Sequence, residues 1–190
     1  MVYVLIAVTV LVYILQEASR FLFGGADYPV ALGAKVNELI LEGELWRLFT
    51  PMLLHGSLIH IGVNMYSLYA LGPALEKHYG HWRFLALYVI SGFAGNVVSF
   101  MFTKAVSLGA STAIFGLVGA YGVFLYQNRQ LLGEAAQRGL RSIITVAGIN
   151  LLIGMTGGFD NWGHIGGLVS GTAFAWLAGP LMVITGVFPN

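Results

Sequence analysis

Two runs of this chain carry side chains able to do covalent chemistry: Gly109-Ala110-Ser111-Thr112-Ala113-Ile114-Phe115-Gly116 and Gly163-His164-Ile165-Gly166-Gly167. A serine hydroxyl is a weak nucleophile until a neighbouring base takes its proton, and imidazole is the commonest such base. Ser111 and His164 each begin an apolar stretch. A nucleophile and a base so placed imply peptide-bond chemistry carried out inside a lipid bilayer. Taken singly, such a serine is an ordinary cap or packing residue, and such a histidine an ordinary buried side chain. Their joint occurrence, each approached through glycine, points to a site.

The elements that must hold them are membrane helices. The chain has 190 residues, 57% hydrophobic and only 9% charged, with a mean hydropathy of +0.80. A water-soluble domain of this size needs far more charge on its surface, so the class is a polytopic membrane protein. Cysteine is absent, which excludes a disulfide framework and thiolate metal ligands. A net charge of +1 gives no case for nucleic-acid binding. Twenty-six glycines suit helices packed closely through small residues. The opening run 2–15 lacks the basic flank and cleavage site of a secretory signal and reads as a retained membrane helix.

At about 20 residues per crossing, six stretches qualify: 2–21, 55–75, 82–102, 111–127, 140–155 and 162–183. The expected fold is all-α, a bundle of six transmembrane helices in a single domain, 1–190, with a long membrane-associated first loop over 24–50. Loops of that length usually carry structure or function. Its segment 35–42 has the pattern of a short amphipathic helix, and Trp46 and Phe49 suit the headgroup layer. The second and fourth loops hold Lys77, Arg83, Arg129, Arg138 and Arg141 against Glu76 and Glu134. The first, third and fifth hold Arg20, Lys35, Arg47 and Lys104 against six acidic residues. The positive-inside tendency then puts the even loops and both termini in the cytoplasm. The expected location is the cell's inner membrane, with the site opening to the outer side.

In that topology helices two, four and six all start from the outer face. His60 and Asn64, Ser111, and His164 then share one layer, several Å deep at about 1.5 Å per residue. Polar side chains at such depth face the bundle interior or a water-filled cavity. Ser111 would lie among the unpaired N–H groups of a helix start, where negative charge on an attacked carbonyl is stabilised. His60 and Asn64, four apart, share a helix face and can donate to the same oxygen. Gly167 and Gly171 form a small-xxx-small face that draws helix six toward helix four. Phe115, one turn beyond Ser111, can stack on the imidazole. Glu76 at the inner end of helix two reads as a structural partner for a basic or polar group.

In order along the chain, Trp46-Arg47, His55-x4-His60-x3-Asn64, Gly72 and Glu76, Gly109-x-Ser111, and His164-x2-Gly167-x3-Gly171 closely resemble the rhomboid family of intramembrane serine proteases. The resemblance implies a six-helix core with a Ser111–His164 dyad and no carboxylate completing a triad, so Asp160 is given no orienting role. It implies an oxyanion and substrate-binding set of His60, Asn64, Gly109 and the Ser111 N–H, supported by His55, Phe115, Gly167, Gly171 and Glu76. Trp46 and Arg47 would brace a first loop lying partly in the membrane, and the loop 157–161 would act as a gate. Substrates would be transmembrane proteins, single-pass, with helix-breaking residues and a small residue before the cut. Neither cofactor nor metal is expected. One departure stands out: Thr112 occupies the place after the serine where similar proteins usually have glycine, and a β-branched side chain there stiffens the backbone and takes up space.

Two rivals are weaker. A metalloprotease using His55, His60 and His164 fails on spacing, because five helical residues turn about 500° and leave the first two imidazoles roughly 140° apart; the His-Glu-x-x-His element is also absent. A non-proteolytic helix-binding protein or transporter of the same fold has no inverted repeats or paired broken helices in its favour.

Overall fold

The structure, a computed structural model, describes residues 1–155 and 160–180. Among these residues the chain is helical, with nine α-helices and two 3₁₀ turns. Six helices are long: α1 (Val2–Leu22), α4 (Leu58–Tyr79), α5 (His81–Phe102), α6 (Ser111–Gln127), α8 (Glu134–Ile153) and α9 (Asn161–Ala178). Three are short: α2 (Tyr28–Gly33), α3 (Asn37–Leu41) and α7 (Arg129–Leu132). The 3₁₀ turns, Leu45–Leu48 and Thr50–Leu53, complete the first loop.

Capping chemistry sets several of these boundaries. Ser57 accepts a bond from the His60 N–H and starts α4, so the second long helix begins at Leu58 rather than at 55, and His55 lies on the preceding loop. Asp160 caps α9 through the Gly163 N–H. Gly80, at φ +77°, makes the one-residue turn between α4 and α5, a conformation that side chains beyond glycine rarely adopt. α8 starts at Glu134, six residues before the expected 140. Its first turns carry Glu134, Arg138 and Arg141, good helix formers that a hydropathy pattern discounts. The amphipathic segment is shorter than expected, 37–41 rather than 35–42. Of the expected gate, residues 157–159 lie outside the described residues, as do the last positions of the sixth span.

α6 is the centre of the bundle. It buries side chains on every face, from Thr112 through Leu125, and packs on α9, α5, α4 and α8. α1 instead buries only Val2, Thr9, Gln16 and Ser19, a stripe at helical spacing, while Val4, Leu11, Ile14 and Leu15 face outward. α8 is the most loosely held long helix, with only Ala136 fully buried among its residues. Glycine sets how near the central helices come. A Cβ at Gly167 would stand 2.0 Å from the Thr112 carbonyl oxygen, and one at Gly171 would stand 2.1 Å from that of Gly116. α6 and α9 therefore touch backbone to backbone.

Candidate active site

Ser111 is the first residue of α6 and His164 the fourth of α9. The glycine contact between these helices brings the Ser111 Oγ to 2.9 Å from the His164 Nε2. Phe115, one turn below Ser111, stacks on the imidazole with centroids 4.3 Å apart and planes 7° from parallel. The ring is thus clamped by a face-on aromatic, and His164 is only 4% exposed. Its Nδ1 is buried and makes no hydrogen bond to the described residues. Asp160 makes no hydrogen bond to the ring. Its carboxylate accepts from the Gly163 N–H at 2.9 Å and from the Ser99 hydroxyl, and its carbonyl accepts from the His164 N–H at 3.0 Å.

No side chain caps the start of α6, so its first-turn N–H groups remain available beside Ser111. Gly109 has φ +132°. A Cβ there would lie 2.8 Å from both Cε1 and Nε2 of His60 and 3.6 Å from the Ser111 Oγ. The missing side chain is what admits the His60 ring next to the serine. Asn64 lies one turn deeper on α4 and donates one amide hydrogen to the His60 carbonyl at 3.1 Å, which leaves its second hydrogen for another acceptor.

His55, fully buried on the loop ahead of α4, supports the same layer from behind. Its Nε2 accepts from the Ala110 N–H at 3.4 Å, and its ring meets His60 edge-on at 5.0 Å. Burial, reinforced by the adjacent His60, lowers its pKa to about 4, so it stays neutral and able to accept. Trp46 and Arg47 lie away from the pair and lock the first loop. Arg47 donates to the Ala34 and Ala31 carbonyls at 2.8 Å each, and Trp46 to that of Leu32 at 3.0 Å. Glu76 sits near the far end of α4, accepting from the Val2 N–H at 2.8 Å and pairing with His81. Among the described residues no cluster of three His, Cys, Asp or Glu side chains could hold a metal ion.

A cavity of about 430 Å³ opens over the pair, with Ser111, His164, Phe115, His60 and Asn64 in its wall. Val146, Ala147 and Asn150 of α8 close another side. Sequence reasoning passed over Asn150, although it is a lone amide in an apolar run. It also passed over Gln16, whose side chain pairs with both the N–H and the carbonyl of His55 at 3.0 Å and reaches Asp27. Both carry the same signal, a polar side chain inside a membrane helix.

The Rhomboid domain family model matches residues 42–181 of this chain. The chain belongs to the rhomboid family. Rhomboid protease GluP of Bacillus subtilis (strain 168) is 40% identical over 177 residues, covering 89% of this chain and 33% of that protein. Of the Arabidopsis thaliana relatives, RHOMBOID-like protein 9, chloroplastic, is 32% identical over 160 residues, 84% of this chain and 37% of its own. RHOMBOID-like protein 1 is 39% identical over 137 residues, 72% of this chain and 35% of its own. This rhomboid chain thus spans about a third of the length of these relatives. Its all-helical architecture is that of a polytopic membrane bundle.

Proposed function

We propose that this rhomboid is an intramembrane serine endopeptidase, folded as one domain over residues 1–190, that cleaves transmembrane protein substrates, chiefly single-pass ones. The observation that carries it is the 2.9 Å contact between the Ser111 Oγ and the His164 Nε2 in the cavity wall. His164 takes the Ser111 proton as the oxygen attacks the scissile carbonyl, and the carbon–oxygen bond formed gives a tetrahedral oxyanion. The Ser111 N–H, His60 and the spare amide hydrogen of Asn64 donate to that oxyanion. Protonated His164 then delivers its proton to the departing amine, leaving an acyl-enzyme. Water, deprotonated by His164, hydrolyses the ester and restores the hydroxyl.

In this dyad the Phe115 face does the orienting that a carboxylate does in a triad. The bound substrate lies in the cavity beside α4 and α8, with its helix locally unwound so that its carbonyl can reach Ser111. By the charge of the loops the protein sits in the inner cell membrane with both termini cytoplasmic and the cavity open to the outer side.

The test is cleavage of a membrane-anchored reporter by purified protein. Ser111→Ala and His164→Ala each abolish the two product fragments while the bundle stays folded. A fluorophosphonate labels the wild-type serine, and His164→Ala loses that label. Product formation at the wild-type rate by purified Ser111→Ala would remove the assignment.

A further inference from the structure

Away from the reacting pair lies a fully buried cation. Lys35, in the first loop, is 0% exposed, and among the described residues no carboxylate forms an ion pair with it. A buried ammonium is costly unless all its hydrogens are matched. Here three carbonyls match them: Thr103 at 2.9 Å, Ala105 at 3.0 Å and Ser99 at 3.4 Å. Ser99 and Thr103 close the C-terminal end of α5, where the helix dipole favours a cation.

The strap 103–110 that leads into Ser111 contains no helix of its own, and the first loop holds it along its length. Lys35 and Ser107 exchange backbone bonds at 2.9 and 3.2 Å, and the Gly109 N–H donates to the Pro51 carbonyl at 2.9 Å. On its other side the same end of α5 reaches His164. The Ser99 hydroxyl donates to Asp160, the residue that caps α9 and whose carbonyl takes the His164 N–H.

We propose that Lys35 is a positioning residue: one buried ammonium ties the strap that delivers Ser111 to the end of α5, and Ser99 and Asp160 carry that tie to the start of the His164 helix. It sets the register of the hydroxyl against the imidazole without touching substrate, since Lys35 is not in the cavity wall. The inference rests on Ser111 and His164 being the reacting pair.

The experiment compares Lys35→Met, of similar length but without donors, Ser99→Ala, and Lys104→Met as an exposed neighbour control. Each is purified in detergent, checked for fold by circular dichroism, and assayed for fluorophosphonate labelling rate and for kcat and KM on a transmembrane substrate. A displacement near 1 Å costs about a hundredfold in rate, so folded Lys35→Met labels about a hundredfold slower, kcat falls in parallel and KM stays within about twofold. Ser99→Ala labels more slowly than wild type by a smaller factor, and that factor shrinks in the Lys35→Met background, as coupled residues require. Lys104→Met matches wild type. Folded Lys35→Met labelling at the wild-type rate, or losing label only in proportion to unfolded protein, overturns the proposal. Where Lys35→Met does not fold, wild-type labelling by Ser99→Ala overturns it. Wild-type protein that takes no label refutes the Ser111 assignment itself.

Discussion

Adding one methyl group to Gly167 perturbs the reacting pair without touching it. The new Cβ would stand 2.0 Å from the Thr112 carbonyl oxygen and 2.9 Å from its carbon, and ordinary contact begins at 3.4 Å, so the gap must open by about 1.4 Å. Both neighbours are backbone atoms, and no flexible side chain can swing aside. The Ser111–His164 contact of 2.9 Å spans the same α6–α9 interface. Full transmission of that opening would carry it past the ~3.5 Å reach of a hydrogen bond. The expected rate loss is about a hundredfold. On stability, alanine gains about 1 kcal/mol over glycine in a helix, and overpacking costs about 1–3 kcal/mol. With backbone on the other side the cost lies at the upper end, and the net is a destabilisation of about 2 kcal/mol. The control is Gly62→Ala, whose Cβ would meet nothing within 4 Å; it keeps or gains stability and retains activity. Unfolding in mild detergent and initial rates on a transmembrane reporter read both quantities. Gly167→Ala with the wild-type rate and midpoint would refute the claim that this contact sets the geometry of the pair.

Two further outcomes follow from buried polar groups. The Thr112 hydroxyl is buried with no hydrogen-bond partner among the described residues, so Thr112→Val removes an unmatched group and raises stability by about 1 kcal/mol with activity retained; a lower unfolding midpoint would count against it. Gln16→Ala strips partners from the buried N–H and carbonyl of His55 and costs about 2–4 kcal/mol. Cleavage should fall as well, because His55 holds the Ala110 N–H just before the serine, and an unchanged midpoint would show that the Gln16 clamp is dispensable.

That Ser111, His164 and His60 meet in one cavity wall was legible because each falls within four residues of a helix start. What brings Ser111 and His164 into contact was only half legible. Gly167 and Gly171 follow the small-xxx-small pattern, but a Cβ at Gly95 would lie 2.6 Å from the Gly163 carbonyl oxygen, and that pattern does not reveal contacts between glycines on different helices. α4 was placed three residues early because hydropathy runs smoothly through His55, whereas Ser57 is the true cap and Gln16 fixes His55 outside the helix. Charge counting treated Lys35 as a loop cation like any other. Its burial depends on three carbonyls 64, 68 and 70 residues away, and no local pattern in the sequence reports them. The β-branched Thr112 side chain takes up space that a glycine would leave open. That space lies between Gly163 and Gly95, and the glycines around it make room for its extra atoms.

Because the strap before Ser111 contains no helix and is held by backbone bonds to Lys35 and Pro51, the place of the hydroxyl depends on a loop made well before it. The imidazole is made more than fifty residues after the serine. A nascent chain that stops short of α9 therefore presents the Ser111 hydroxyl without the imidazole it meets in the folded bundle.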